Sequence, residues 1–233
     1  EAGVRRMVEA MLGGGLPAAA FATQVAAVSQ GNPAFVERLM EHLVQAGDLT
    51  NVKGAWQAPA DLAAAAVPTT LNALTQDQLR GLSAGARQLT ELLAVSGRPT
   101  PLELLGAAAG LDEAALFEAL GALDESGVLA RDEEGAYVFR QAAVQEAAHG
   151  MIPAERLPRL HGQLAGALVA SLGLPAKPLA QVALADLAAL ATHGLRAELP
   201  QRAIGWALEA GRRFLGLFAL ADARTMLEAG QAL

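Results

Sequence analysis

The chain has 233 residues, of which 53% are hydrophobic and 18% charged, with no cysteine and a formal charge of −7. That apolar content excludes a disordered tail, and the missing thiols exclude disulfides, thiolate metal sites and cysteine nucleophiles. The acidic balance, with a pI near 5.1, opposes the phosphate-backbone attraction on which nucleic-acid binding rests, so protein partners are the expectation.

Alanine and leucine dominate the apolar residues while β-branched and aromatic side chains are scarce, which predicts a mainly α fold. Val4 to Met11 reads as a short helix, closed by the GGGLP run at 13–17, and a second helix runs to about Ser29. QGNPAFVERLMEHL then opens a third helix. Phe35, Val36, Leu39, Met40, Leu43 and Val44 recur at spacings of three and four until Gly47, which marks one buried face. DLTNVKGAWQAP carries short extended pieces on each side of Lys53-Gly54, predicting a small hairpin at 49–57. Pro68 and the threonines after it set the entry of the next helix, and a domain junction is placed there.

From Ser83 three amphipathic segments follow, SAGARQLTELLAVSG, PLELLGAAAG and DEAALFEALGALDESG, each ended by a glycine suited to a left-handed cap. VLARDEEGAYVFR adds two short strands around an acidic turn. Three helices followed by a hairpin is the order of a winged helix. QAAVQEAAHGM and PAERLPRLHGQLAGALVASLG read as two further helices, with LPAKP at 174–178 as a loop. The tail, with Ala and Gly at its expected close contacts, reads as the beginning of a tetratricopeptide-like array. The expected organisation is a helical lid-like subdomain with a small hairpin (1–68), a winged-helix-like domain (69–150) and a helical, tetratricopeptide-like region (151–233).

The longest apolar stretch, LAQVALADLAAL at 179–190, falls short of the roughly 20 residues that span a bilayer and contains Asp186. No membrane segment or signal peptide is read, and a cytoplasmic location is expected. A first residue of Glu1 instead of Met is expected of a piece of a longer polypeptide.

Few residues invite chemistry. Gly81-Leu82-Ser83-Ala84-Gly85 matches the spacing of a nucleophile elbow, but TQDQLR precedes it where a buried strand is needed, so Ser83 reads as a helix cap. His42, His149, His161 and His193 lack the spacing of a metal site and are expected at packing or surface positions. The glycines at 13–15 lack the Gly-Lys-Ser/Thr of a phosphate loop, since neither Lys53 nor Lys177 follows a glycine. No catalytic residue, metal or bound cofactor is therefore assigned to the chain. The third helix of the would-be winged helix, where a DNA reader places arginine and lysine, carries Asp112, Glu113, Glu118, Asp124 and Glu125, and the hairpin turn adds Asp132, Glu133 and Glu134.

The order of SQGNPAFVERLMEHLVQAGDL, the hairpin with GAWQ, VPTTLNALTQDQLRGLSAGARQLTELLAVSGR, VLARDEEGAYVFR and ERLPRLHGQLAGAL resembles the second half of STAND signalling ATPases. These are bacterial multidomain regulators, some of them fused to kinases, cyclases or DNA-binding modules. The resemblance covers nearly the whole chain. It implies that Gly31, Asn32 and Pro33 lie beside the adenine of ATP or ADP in a full-length parent. It also implies that Gln141 occupies the place of the family's nucleotide-sensing histidine, after Phe139-Arg140. Gln145, Glu146 and His149 stand where the family has Arg-Glu-x-x-Tyr, and Arg159, Leu160 and His161 keep an Arg-x-x-His-like element expected to serve packing. On this reading the chain is a noncatalytic relay between a nucleotide-binding domain and protein partners held by helical surfaces. The other readings are a standalone helical adaptor, a winged-helix DNA-binding regulator, and a hydrolase built on Ser83.

Overall fold

The computed structural model describes residues 2–13, 19–59, 62, 71–197 and 200–231. Among them are twelve α-helices and two small antiparallel sheets, so the fold is mainly α as the composition predicts. The backbone separates into two compact units, 1–81 and 82–233. The glycine-proline break at 14–17 and the junction expected at Pro68 lie outside the described residues.

The first unit contains α1 (Ala2–Leu12), α2 (Ala19–Ser29), α3 (Pro33–Gln45), the strands β1 (Thr50–Val52) and β2 (Ala55–Gln57), and α4 (Leu71–Arg80). Helix α3 is its centre, packing against α1, α2 and α4. Val36, Leu39 and Leu43 are fully buried there, each contributing roughly 1.5–3 kcal/mol relative to an exposed side chain. Val44, expected on the same face, is 47% exposed: the helix ends one residue later, and Leu49 folds back through its amide onto the carbonyl of Leu43. The hairpin forms as expected. Lys53 and Gly54 both have positive φ, 54° and 87°, the backbone that a two-residue antiparallel turn needs, and Asn51 Oδ1 accepts from the amide of Gly54. Trp56 ties it to α1 by donating Nε1–H to the carbonyl of Leu12 at 2.9 Å. Arg38, 4% exposed, joins α3 to α4 by donating from Nη1 to Glu41 and Gln78, at 3.0 Å each.

The second unit begins with α5 (Ala84–Ser96), α6 (Leu102–Ala109), α7 (Glu113–Glu125), β3 (Leu129–Arg131), β4 (Tyr137–Phe139) and α8 (Ala142–Gly150). Gly97, Gly110 and Gly127 take the left-handed conformation after the three helices, as read from the sequence. The hairpin pairs Leu129 with Phe139 and Arg131 with Tyr137. Thr100, fully buried between α5 and α6, exchanges both backbone hydrogen bonds with Tyr137, at 2.9 and 3.1 Å, so a bridge residue flanks the hairpin on its second side.

Next come α9 (Leu157–Ser171), α10 (Leu184–Arg196), α11 (Pro200–Gly216) and α12 (Leu220–Gln231). Helix α9 packs on α5 and α6 as well as on α10, which makes 82–233 continuous, and α10, α11 and α12 then pack in succession. Small residues let these helices approach closely: a Cβ on Gly194 would fall 2.7 Å from the Trp206 ring, and Ala207 and Ala210 are fully buried. Among the described residues no helix is long and apolar enough to cross a membrane.

Candidate functional site

The Gly-Asn-Pro turn does a complete local job. Gln30 and Gly31 have φ of 49° and 80°, a pair of left-handed residues that reverses the chain after α2. Asn32 caps α3, its Oδ1 accepting from the amides of Ala34 at 3.1 Å and Phe35 at 3.5 Å, and Pro33 takes the first helical position, where its missing N–H is no loss. The backbone amides are engaged too: that of Gly31 donates to Ser29 Oγ and that of Asn32 to the Ser29 carbonyl. With the Asn32 oxygen and these amides occupied, the turn exposes the ring of Pro33. That fits an apolar packing contact with a base and does not fit a phosphate cradle.

Gln141 caps α8 with extended backbone and no side-chain bond to the helix, while Glu146 and His149 are exposed on that helix. Ser83 is the N-cap of α5, its Oγ accepting from the Ala86 amide at 3.3 Å, and the element before it is helix α4, not the strand a nucleophile elbow requires.

Helix α7 presents an outer face on which Glu113, Phe117, Glu118, Asp124 and Glu125 are exposed, with Phe117 at 59%. Asp112 caps it by accepting from the Ala115 amide at 2.8 Å. In the hairpin turn Asp132 Oδ1 accepts from the amides of Glu134 and Ala136, so this acid is spent on holding the turn. A second apolar exposure lies at the turn between α11 and α12, where Leu217, Phe218 and Leu220 are 67%, 86% and 64% exposed.

Two further constellations have no signal in residue spacing. His161 of α9 and His193 of α10, both buried, face each other with their Nδ1 atoms 2.8 Å apart. One ring must donate and the other accept, so at least the accepting ring is neutral. Burial lowers both, with Arg196 and then His149 adding to the effect on His161, which is held at about 4. On His193, held at about 3, the additional causes are His161, Arg98 and Arg196. Among the described residues no group of three or more ligating side chains gathers around a point that could hold a metal.

The other is a groove of about 300 Å³ between α5 and the start of α9, lined by Arg87, Gln88, Glu91, Arg156, Arg159 and Gln163. Arg156 meets the nearly buried Glu91 carboxylate side-on, Nη1 to Oε1 at 3.0 Å and Nη2 to Oε2 at 2.7 Å. The second contact is short but poorly angled, leaving Oε2 held by charge more than by a hydrogen bond. Arg87 Nη2 donates to the Leu82 carbonyl, and Arg159 is exposed. These arginines lie at the N-terminal ends of α5 and α9, neither of which has an acidic residue in its first turn. A cation there costs about 0.3–1 kcal/mol against the helix dipole. Arg159 was expected to pack and instead lines this groove, whereas its neighbour His161 is buried in the α9–α10 contact. The signal available in sequence was the basic residue at a helix start, but the two helix starts are too far apart along the chain for spacing to join them.

No family model matches the chain. An uncharacterized protein of Rhizobium meliloti (strain 1021) is 27% identical over 205 residues, covering 86% of this chain and 19% of that protein. The chain thus spans about a fifth of the length of the curated relative it matches.

Proposed function

We propose that the chain is a noncatalytic relay segment of a larger bacterial STAND-type signalling ATPase, coupling the state of a nucleotide-binding domain to the docking of a protein partner. The observation that carries this reading is helix α7, which exposes a phenylalanine and four carboxylates and contains no cation, in a unit of three helices followed by a hairpin. Such a face repels a duplex and suits a partner with basic and apolar side chains. The much longer relative supports a segment working inside a bigger polypeptide. In the parent, ATP or ADP would meet Pro33 through its base, with Gly31 and Asn32 shaping the turn, and Gln141 would offer an uncharged amide where the family places a histidine. Movement between rigid blocks would carry the signal.

The test is calorimetric titration of ADP, ATP and pyrophosphate into the 233-residue chain and into a longer polypeptide carrying the preceding sequence. Adenine-dependent binding is expected only in the longer form, weakened by Pro33→Ala. Adenine-dependent binding or ATP hydrolysis by the shorter chain alone overturns the relay.

A second reading, a helical adaptor with no nucleotide involved, is favoured by the exposed Leu217, Phe218 and Leu220, an apolar turn suited to protein contact. It takes over if neither form binds nucleotide.

A further inference from the structure

Helix α7 buries one side and exposes the other. Ala119, Leu120 and Leu123 form its buried side, and α5 is the helix it packs on most extensively. At about 3.6 residues per turn, the exposed residues fall on one continuous arc opposite. The middle of that arc is a stripe of Ala114, Phe117 and Gly121, at spacings of three and four. By the same geometry Glu113 and Asp124 run along one edge of the stripe, and Glu118 and Glu125 along the other. Among the described residues none of these four carboxylates is in an ion pair. Phe117 is 59% exposed, and a Cβ added at Gly121 would meet nothing within 4 Å. The stripe is therefore one aromatic ring with a small residue a turn to either side.

We propose that this stripe docks an amphipathic α-helix of a protein partner, one with an apolar contact line flanked on both sides by lysine or arginine. The proposal rests on the relay reading in placing the partner at α7, and it names that partner's form and charge. Two small residues either side of one large one form a surface into which a helix can settle, since the distance between packed helix axes is set by the side chains at the contact. Carboxylates on both edges select a partner whose cations are arranged in two rows, which a helix with a single apolar face provides. The same four charges oppose a duplex and an anionic bilayer. They also oppose a second copy, because a two-fold contact would set this acidic face against itself.

The probe is a synthetic peptide of about 18 residues, long enough to form a helix along α7, built of alanine, leucine and lysine with one leucine stripe between two lysine rows. Its binding to the 233-residue chain is followed by fluorescence anisotropy, beside a scrambled peptide of the same composition and a counterpart with glutamate for lysine. Saturable one-to-one binding is expected, at least tenfold tighter than that of the scrambled peptide, with none for the glutamate form. Phe117→Ser and Gly121→Leu should each weaken it at least tenfold. The leucine fills the space beside the ring and should not lower the thermal midpoint, since its Cβ meets no neighbour. Glu113→Arg with Glu118→Arg, one carboxylate from each edge, should weaken binding as far. Asp48→Arg with Glu155→Arg, the same change of charge at exposed positions elsewhere, should move it less than about threefold. Equal affinity for the ordered and scrambled peptides, equal losses in the two double variants, or unchanged affinity in Gly121→Leu would each overturn the assignment. Adenine-dependent binding by the longer polypeptide beside a silent peptide would remove the docked helix and leave the relay standing.

Discussion

His161 and His193 share a single proton across 2.8 Å in the buried contact between α9 and α10. The pair works as a neutral hydrogen bond, since burial, Arg98, Arg196 and His149 all disfavour a charged ring. In the unfolded chain each histidine takes up a proton near its ordinary value of 6.5; in the folded chain protonation is delayed to about 4 and about 3. Below 6.5 the unfolded state therefore binds more protons, and stability falls as the pH falls. Each histidine adds a slope of up to about 1.4 kcal/mol per pH unit. The unfolding midpoint of the second unit should be insensitive to these groups above neutrality and decline from pH 6.5 towards 4. A double His161→Leu, His193→Leu variant should show a shallower acid limb in the same urea titrations. An unchanged limb would mean that the pair is not the acid-sensitive element.

The contact of Gly194 with Trp206 supports a second expectation. A methyl group on Gly194 would lie 2.7 Å from the indole Cζ3 and 3.0 Å from the Ala203 Cβ, and neither an aromatic ring nor a helix backbone yields cheaply. Gly194→Ala should destabilise the second unit by about 1–3 kcal/mol despite its better helix propensity. Trp206, which reports on this packing directly, should change its emission in the native state. A stabilised variant would show that α10 and α11 separate more easily than their close approach implies.

What could be read in advance is what single residues or fixed spacings dictate. Gly97, Gly110 and Gly127 announce helix ends because they accept a left-handed backbone, and Lys53-Gly54 announces a turn for the same reason. The Thr100 bridge to Tyr137 was not legible, because one residue of pairing leaves no alternating pattern. Nor were the His161–His193 bond or the arginine groove, since their partners meet only when α9 lies on α10 and on α5. The Gly-Asn-Pro turn was legible as a helix start through its cap and its proline. A nucleotide beside it rests on resemblance, since the Asn32 side-chain oxygen is occupied by the start of its own helix.

Asn32 should be worth what an N-cap is worth. Asn32→Ala removes the acceptor for the amides of Ala34 and Phe35 and should cost the first unit about 1 kcal/mol, within a range of about 0.5–2. Asn32→Asp should keep most of it, because a carboxylate also accepts these bonds and favours the helix start. The chain has two tryptophans, one in each unit, so a Trp206→Phe background leaves Trp56 as the reporter of the first. Urea midpoints in that background check the ranking. Equal losses for alanine and aspartate would show that the cap does not hold α3 in place.

The outer face of α7 decides between protein docking and duplex reading. It presents Glu113, Phe117, Glu118, Asp124 and Glu125 and no cation, so wild-type chain should pass unretained over duplex DNA even at about 50 mM salt, where nonspecific attraction is strong. Glu113→Arg with Glu118→Arg should create weak retention that disappears as salt is raised, since reversing two charges supplies the phosphate contacts the face lacks. Phe117→Ser should leave stability within about 0.5 kcal/mol, because the ring is 59% exposed and little of it leaves water on folding. The aromatic ring is then free to serve contact with another molecule. Retention of the wild-type chain, lost in Phe117→Ser, would assign the face to nucleic acid and remove the ground for a protein partner at α7.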